Sequence, residues 1–381
     1  MSMSQWSVVD VEMMSLAISL AEKGRYTTRP NPNVGCVIAV NDHIIGQGYH
    51  IKAGGPHAEI HALQDVQTKQ NQTKLSSATA YVTLEPCSHY GRTPPCALAL
   101  IEAGVKRVVI AEVDANPQVA GNGIRLLKEA GIQVDIGLLT EQAKLLNLGF
   151  TKKMTTGLPR VTIKLAASID GKTALSNGVS KWITGPDARA DVQKLRARHC
   201  ALVTGVETVL ADDPSLNVRY EQLGSLKNSV SAADLQQPLR VILDSRARLT
   251  SEFKLFDIPS PILLVSCVDY AAEAREKFNN HVSCITIAAN EDGRVDLHAL
   301  FTYLGKQCNS VLIESGASLA GSVLDAKLAD ELYLYQAMKI LGSHGRNLLQ
   351  LNDYQSMEQI PELQLVDSRR IGADQRMIFS L

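Results

Sequence analysis

Short apolar runs alternate with helix-like stretches along most of the chain, and that alternation is what most restricts its fold. Val34–Val40, Thr79–Leu84 and Val105–Ala111 read as buried strands, and Ile132–Gly137 as a shorter one. Helical stretches lie near Ala58–Val66, Pro95–Ala103 and Gly123–Ala130. Pro94-Pro95 suits the first turn of the second, where a missing N–H does no harm. Gly104 and Gly131 stand where helix C-caps are expected. The pattern predicts an α/β domain of three layers, a sheet between helices. The first 25 residues carry Asp10 and Glu12 and have neither a basic start nor a small-residue cleavage site. They read as an amphipathic first helix rather than a secretion signal.

A chain of 381 residues exceeds what one hydrophobic core usually serves, so two domains are expected. After Phe150 comes TKKMTTGLP, polar and without apolar period, which reads as the linker; the domains are then 1–150 and 151–381. The second alternates in the same way through Val161–Ala167, Ala201–Thr204, Val241–Leu243, Ile262–Ser266 and Val311–Glu314. Tyr220–Pro238, rich in Ser, Asn and Gln, reads as an exposed excursion. A net charge of −1 gives no overall attraction to nucleic acid. No apolar run approaches the roughly 18 residues of a membrane span. Seven cysteines is an odd count that argues against a disulfide framework and for a reducing cytoplasm, with some thiols free to bind metal.

Chemistry concentrates first around His57, Cys87 and Cys96. His57 lies in Pro56-His57-Ala58-Glu59 at a helix start, Cys87 follows a strand through Glu85-Pro86, and Cys96 opens the next helix. Helix N-termini favour thiolate over thiol. One imidazole and two thiolates leave a fourth tetrahedral position open, the mark of a catalytic zinc site. Such chemistry needs a base that is not a ligand, and Glu59 is placed for it. His-x-Glu…Pro-Cys…Cys is the zinc deaminase signature, except that eight residues, Ser88–Pro95, separate cysteines usually two apart. His61, four residues from His57, lacks the order of a helical metal pair and reads as a packed or outer histidine.

In the second domain there is no G-x-G-x-x-G fingerprint. Gly316-Ala-Ser-Leu-Ala-Gly321-Ser322 has the glycine spacing of a phosphate loop without its lysine. What remains is a strand, Val311–Glu314, and a glycine turn opening a helix, where backbone N–H groups can hold a phosphate. An empty strand-to-helix turn is the equal alternative on this feature alone.

The runs NPNVGCVI (31–38), GGPHAEIHAL (54–63) and VTLEPCSHYGRTPPC (82–96) resemble the bifunctional deaminase–reductases of riboflavin biosynthesis, in which a long Cys–Cys insertion ends in TPPC. LAASIDGKTA (165–174), SKWITG (180–185), TVLADDPSLNVR (208–219), ILDS (242–245) and ESGASLAG (314–321) are similar to the same family's reductase half, with Ser315 where the family has Ala or Gly. The resemblance runs from about residue 10 into the C-terminal region. It implies an N-terminal cytidine-deaminase-like three-layer α/β/α domain and a C-terminal dihydrofolate-reductase-like α/β domain.

In the first, it implies zinc at His57, Cys87 and Cys96, with Glu59 catalytic. Asn31 and His50 would line a pyrimidine pocket, His89 and Arg92 would lie near a substrate phosphate, and Asp114 and Asn116 would form the pocket mouth. In the second, it implies NADPH against Ala166, Trp182, Thr208, Asp212, Ser245 and the stretch Gly316, Ala317, Ser318, Leu319, Ala320, Gly321 and Ser322. The substrate would meet Ser180, Arg196, Leu216, Arg219 and Glu314. Arg196 and Arg219 suit a phosphate as bidentate partners, and Asp212 would orient the reacting ribose. The substrate implied is a small pyrimidine ribose-phosphate, with no nucleic acid and no membrane, and the assembly implied is a homo-oligomer, a dimer or larger. The TPPC insertion and near-neutral charge argue against a cytidine or tRNA deaminase, and Glu59 argues against a purely structural zinc module. A dihydrofolate reductase proper shares only the architecture.

Overall fold

The computed structural model describes residues 6–90, 94–117 and 120–381, and its contacts divide the chain into two units, Met1–Gly157 and Leu158–Leu381. In the first, Ser7 opens helix α1 (Val8–Lys23): its hydroxyl accepts the Asp10 N–H at 3.0 Å, and the Asp10 carboxylate accepts the Ser7 N–H at 3.1 Å. Each side chain satisfies a backbone donor that the first turn leaves unpaired.

Strands β1 (Gly35–Val40), β2 (His43–Tyr49), β3 (Thr79–Val82), β4 (Arg107–Ile110) and β5 (Gln133–Ile136) form one sheet in the order β2-β1-β3-β4-β5. β1 runs antiparallel to both neighbours, and β3, β4 and β5 are parallel. Because side chains alternate across a strand, Cys36 and Ile38 pack with helices α2 (Ala58–Thr68), α3 (Cys96–Ala103) and α4 (Asn122–Glu129). Val37 and Ala39 pack with α1 and helix α5 (Thr140–Leu146) on the other face. These are the three layers expected.

Two glycines of β2 seat α2. A Cβ at Gly46 would lie 2.4 Å from the Ala62 carbonyl, and one at Gly48 2.5 Å from the Ala62 nitrogen. The helix therefore rests directly on strand backbone, which fixes its N-terminus, where His57 and Glu59 sit.

The expected linker is helical instead. Helix α6 (Leu148–Thr156) runs through it and ends at Gly157, whose φ is 75°. The Asn147 side chain docks the start of α6 on the Asn33 backbone: its Oδ1 accepts the Asn33 N–H at 2.7 Å and its Nδ2 donates to the Asn33 carbonyl at 2.9 Å. The boundary accordingly moves from 150 to 157.

The second unit carries β6 (Arg160–Ser168), β7 (Lys172–Ala174), α7 (Pro186–Ala197), β8 (Ala201–Gly205), α8 (Val206–Asp212), β9 (Leu239–Leu243), β10 (Ile262–Ser266), α9 (Ala272–Glu276), β11 (Val282–Thr286), α10 (Leu297–Gly305), β12 (Ser310–Glu314), α11 (Ala317–Asp325), β13 (Glu331–Ala337), β14 (Arg346–Asn347), β15 (Gln364–Ile371) and β16 (Asp374–Ser380). Nine of these strands form one sheet, ordered β11-β10-β9-β8-β12-β6-β13-β16-β15. It is parallel from β11 to β13 and antiparallel beyond. Ile163, Val203 and Val311 pack with α10 and α11; Leu202, Ile242 and Leu312 pack with α7 and α8. The chain leaves β6 for β8 and later returns with β12 between them. Crevices in open α/β sheets form at the carboxyl ends of strands beside such a reversal. Among the described residues no helix is long and apolar enough to cross a membrane.

Candidate active sites

In the first unit, His57, Cys87 and Cys96 come together, and their ligand atoms all lie within 4.8 Å of one another. His57 is the residue before α2, Cys96 is the first residue of α3, and Cys87 arrives from the end of β3. His57 Nδ1 is 3.2 Å from Cys96 Sγ and 3.5 Å from Cys87 Sγ. The Cys96 backbone N–H donates to Cys87 Sγ at 3.3 Å.

The hydrogen bond from Cys96, joined by that from His57 and the Cys96 N–H, outweighs burial and holds the Cys87 thiol well below the usual thiol range. Cys96, which keeps the shared proton, is pushed well above the usual thiol range. His57 is raised by its contact with Cys87. One imidazole and two cysteine sulfurs match the donor chemistry of a catalytic zinc site. Glu59, in the first turn of α2, is 3% exposed. Burial, then the charge of Cys87, pushes its carboxyl up to about 7, so it can take and return a proton near neutrality.

Asn31 and His50 meet beside this cluster. His50 Nδ1 lies 3.0 Å from the Pro56 carbonyl, which requires the proton on Nδ1, so Nε2 accepts from Asn31 Nδ2 at 3.1 Å. The His50 and His57 rings stand edge to face at 5.3 Å. Asp114 is buried and accepts the Asn116 N–H at 2.7 Å, closing the turn expected there. Burial, helped by the neighbouring Glu85 and Cys87 charges, raises its carboxyl above the usual range, against the opposing Asn116 hydrogen bond and His89. His89 itself is exposed, and Arg92 lies outside the described residues. His61 stands apart from the ligand cluster, its Cβ against Gly48, as a packed residue does.

The second unit holds an open cleft of about 1340 Å³ at the carboxyl ends of β6, β8, β9 and β12. Of the expected cofactor residues, Ala166, Trp182, Thr208, Asp212 and Ser245 line it, as do Gly316, Ala317, Ser318, Leu319 and Ser322. Gly316 caps α11 with no side-chain hydrogen bond, which leaves first-turn N–H groups facing the cleft for a phosphate. The size of the cleft and this helix end suit a dinucleotide. Asp212 ends α8 with its carboxylate 3.5 Å from Lys181 Nζ, and Arg189 lies 4.3 Å over the ring of Trp182.

Ala320 and Gly321 do not line the cleft. Ala320 is wholly buried in the core, and a Cβ on Gly321 would lie 1.8 Å from the Gln350 carbonyl. Helix periodicity turns these two positions away from the face that Gly316 and Ser322 present.

Of the expected substrate residues, Ser180, Arg196, Leu216 and Glu314 line the cleft, and Arg219 does not. Arg196 is not free for a phosphate in the way expected of it. Its Nε and Nη2 donate to the two Glu314 oxygens at 2.6 and 2.9 Å, and Nη1 donates to the Asn217 carbonyl at 2.9 Å.

The sequence reading missed Lys164, which lines the cleft beside this pair; burial lowers its pKa, Glu314 raises it and Arg196 lowers it. A lysine inside the otherwise apolar strand VTIKLAAS was the available signal, because such a side chain is rarely buried unless paired. It also missed Glu85, 3% exposed, whose carboxylate faces four backbone N–H groups.

Residues 7–112 match the family model described as the cytidine and deoxycytidylate deaminase zinc-binding region, and residues 159–376 match that of the RibD C-terminal domain. The chain is 48% identical to riboflavin biosynthesis protein RibD of Haemophilus influenzae over 99% of both chains. It is 45% identical to that of Escherichia coli over 96% of this chain and 97% of the other. Among solved structures, Acinetobacter baumannii RibD superposes with a TM-score of 0.88 at 44% identity, covering 98% of each chain. The Thermotoga maritima diaminohydroxyphosphoribosylaminopyrimidine deaminase/5-amino-6-(5-phosphoribosylamino)uracil reductase gives 0.83 at 32%, again over 98% of each. Likeness of this extent across both units means that the chain belongs to the RibD family, the bifunctional deaminase–reductases of riboflavin biosynthesis.

Proposed function

We propose that the first unit deaminates 2,5-diamino-6-(ribosylamino)pyrimidinone 5′-phosphate and that the second reduces the ribosyl group of the product to ribityl. The observation that carries the first half is the buried Glu59 carboxyl beside one imidazole and two thiols. Zinc held by His57, Cys87 and Cys96 supplies the Lewis acidity that makes water a nucleophile near neutral pH. Glu59 would take one proton of the attacking water and pass it to the ring nitrogen; it would then take the proton of the new C–OH and hand it to the amine, which leaves as ammonia as the C=O forms. The Asn31 amide presents a fixed donor and acceptor edge to the pyrimidine, because the Pro56 carbonyl sets the His50 tautomer and His50 Nε2 in turn holds that amide. Asp114 and Asn116 shape the mouth, and the substrate phosphate is assigned to His89 and, from the sequence resemblance alone, to Arg92.

In the second unit, NADPH supplies the hydride when bound along the cleft. The α11 N-terminus takes one of its phosphates, and Trp182, Thr208 and Ser245 bound its path. Glu314, held ionised by Arg196 against burial, and the neighbouring Lys164 form a charged floor for the ribose hydroxyls. Asp212, at the cleft rim, orients the opened ribose. The role first expected of Arg196 becomes that of holding Glu314. The reading includes assembly as a homo-oligomer in the cytoplasm, supported by the family and by seven cysteines that are all free thiols. Ammonia release from this substrate by zinc-loaded protein tests the first half. No release with metal bound overturns the assigned substrate.

A further inference from the structure

Glu85 has no place in the chemistry above, yet it is buried two residues before a metal ligand. Its Oε2 accepts the N–H groups of Asp114 and Gly121 at 3.2 and 2.9 Å; its Oε1 accepts those of Gly123 and Ile124 at 2.9 and 3.2 Å. Three of these donors belong to the start of α4, whose unpaired N–H groups and dipole favour a carboxylate. The fourth belongs to the turn closed by Asp114 and Asn116. The anchor is fixed in turn, because the Glu85 N–H donates to the Glu112 carbonyl at 2.9 Å.

The peptide that follows is held on both sides. A Cβ on Gly123 would stand 2.0 Å from the Pro86 carbonyl oxygen, so the start of α4 rests on the backbone leading into Cys87. On the other side, the Ala97 N–H donates to the Cys87 carbonyl at 3.2 Å and the Cys96 N–H to its sulfur at 3.3 Å. Cys87 thus sits between the first turns of α3 and α4, and the Glu85 side chain joins α4, the Asp114 turn and the Cys87 loop.

We propose that Glu85 is the positioning residue of the deaminase site, holding Cys87 and the Asp114–Asn116 turn in one fixed relation. Ligand thiolate and substrate mouth are then set by the same carboxylate, so loosening it disturbs metal geometry and substrate fit together. The proposal rests on the deaminase reading of this unit. Hydrogen-bonding partners behind a ligand orient it, and their loss typically costs about 10- to 100-fold in metal affinity or activity.

Glu85→Gln is the isosteric test. Its amide turns one of two acceptor oxygens into a donor, which then faces two N–H groups. Wild type, Glu85→Gln and Glu85→Asp are loaded with Co²⁺ in place of zinc, and the d–d and thiolate-to-cobalt bands are recorded. Zinc-loaded samples give kcat and KM for ammonia release, and NADPH oxidation on already deaminated substrate checks the other unit in the same preparation.

The expected result for Glu85→Gln is an altered cobalt spectrum, a rise in KM with a fall in kcat that together reach about 10-fold or more in kcat/KM, and unchanged reduction. Glu85→Asp, which keeps both oxygens, should recover part of each. Gly123→Ala, which presses on Pro86 with the carboxylate intact, should alter the cobalt spectrum as well. A wild-type cobalt spectrum in folded Glu85→Gln protein overturns the proposal. So does a loss of activity that only tracks the folded fraction, with KM unchanged. If wild type itself releases no ammonia, the assigned substrate fails, while the cobalt spectra still decide the role of Glu85.

Discussion

Arg196 and Glu314 face each other as a two-pronged ion pair on the floor of the reductase cleft, with Nε–Oε1 at 2.6 Å and Nη2–Oε2 at 2.9 Å. Both are nearly buried, at 12% and 10% side-chain exposure. Removing one partner of such a pair strands the other and typically costs about 3–5 kcal/mol. Arg196→Ala should therefore lower the unfolding temperature of the second unit and abolish NADPH oxidation while ammonia release continues. Arg196→Lys keeps the charge but not the fork, and should recover stability better than activity. Reduction surviving in Arg196→Ala with unchanged KM would refute this role.

Glu59→Gln should keep the metal and lose deamination. A positioned acid–base group contributes about 10²- to 10⁴-fold, and the drop in kcat for ammonia release should lie in that range. Metal analysis and reduction of an already deaminated substrate should both match wild type. Retained deamination would remove Glu59 from the mechanism.

Gly48→Ala tests how α2 is seated. The new methyl would lie 2.5 Å from the Ala62 nitrogen and 2.7 Å from the Ala58 carbonyl, so the helix carrying Glu59 must shift. Overpacking of this kind costs about 1–3 kcal/mol. Thermal unfolding should fall accordingly and deamination should fall with it, with reduction intact. Unchanged stability would mean that the helix does not rest on β2.

Asp10 makes the stability of the first unit sensitive to acid. Burial opposes its ionisation, but hydrogen bonds from Arg107, Ser7 and Tyr81 outweigh that and leave its carboxyl below the usual range. Its contribution is therefore full above the ordinary carboxylate pKa of about 3.9 and is lost as pH falls through the lower folded value. Asp10→Asn should destabilise the unit by about 1–3 kcal/mol at neutral pH. The gap to wild type should narrow as wild-type Asp10 itself becomes protonated. Equal unfolding of the two proteins at pH 7 would contradict the account.

Local signals located most of the framework. Ile262–Ser266 is the strand expected to the residue, and Gly104 caps α3 in the left-handed region at φ 70°. β2 was missed because its two glycines, needed for α2, break the apolar pattern. The edge strand β15 was missed because Asp367, Ser368, Arg369 and Arg370 make it read as polar. The supposed linker is a helix because Asn33, more than a hundred residues away, docks its start.

The catalytic cluster was legible for a similar reason in reverse. His57, Glu59, Cys87 and Cys96 each follow from local position at a helix start or strand end. Glu85 and Arg196 depend on partners 29 to 39 and 118 residues distant, and no local pattern announces which backbone or carboxylate they will meet.

The central claim, that one chain deaminates a pyrimidine ribotide and then reduces its ribose, is tested by following ammonia and NADPH in a single tube. Zinc-loaded protein should release ammonia from the diamino substrate without NADPH. Once NADPH is added, about one should be oxidised per ammonia released, since each deaminated molecule then accepts one hydride. Stripping zinc with a chelator should stop ammonia release yet leave reduction of preformed deaminated substrate intact. NADPH oxidation without prior ammonia release, or ammonia release with no NADPH oxidation, would contradict the account.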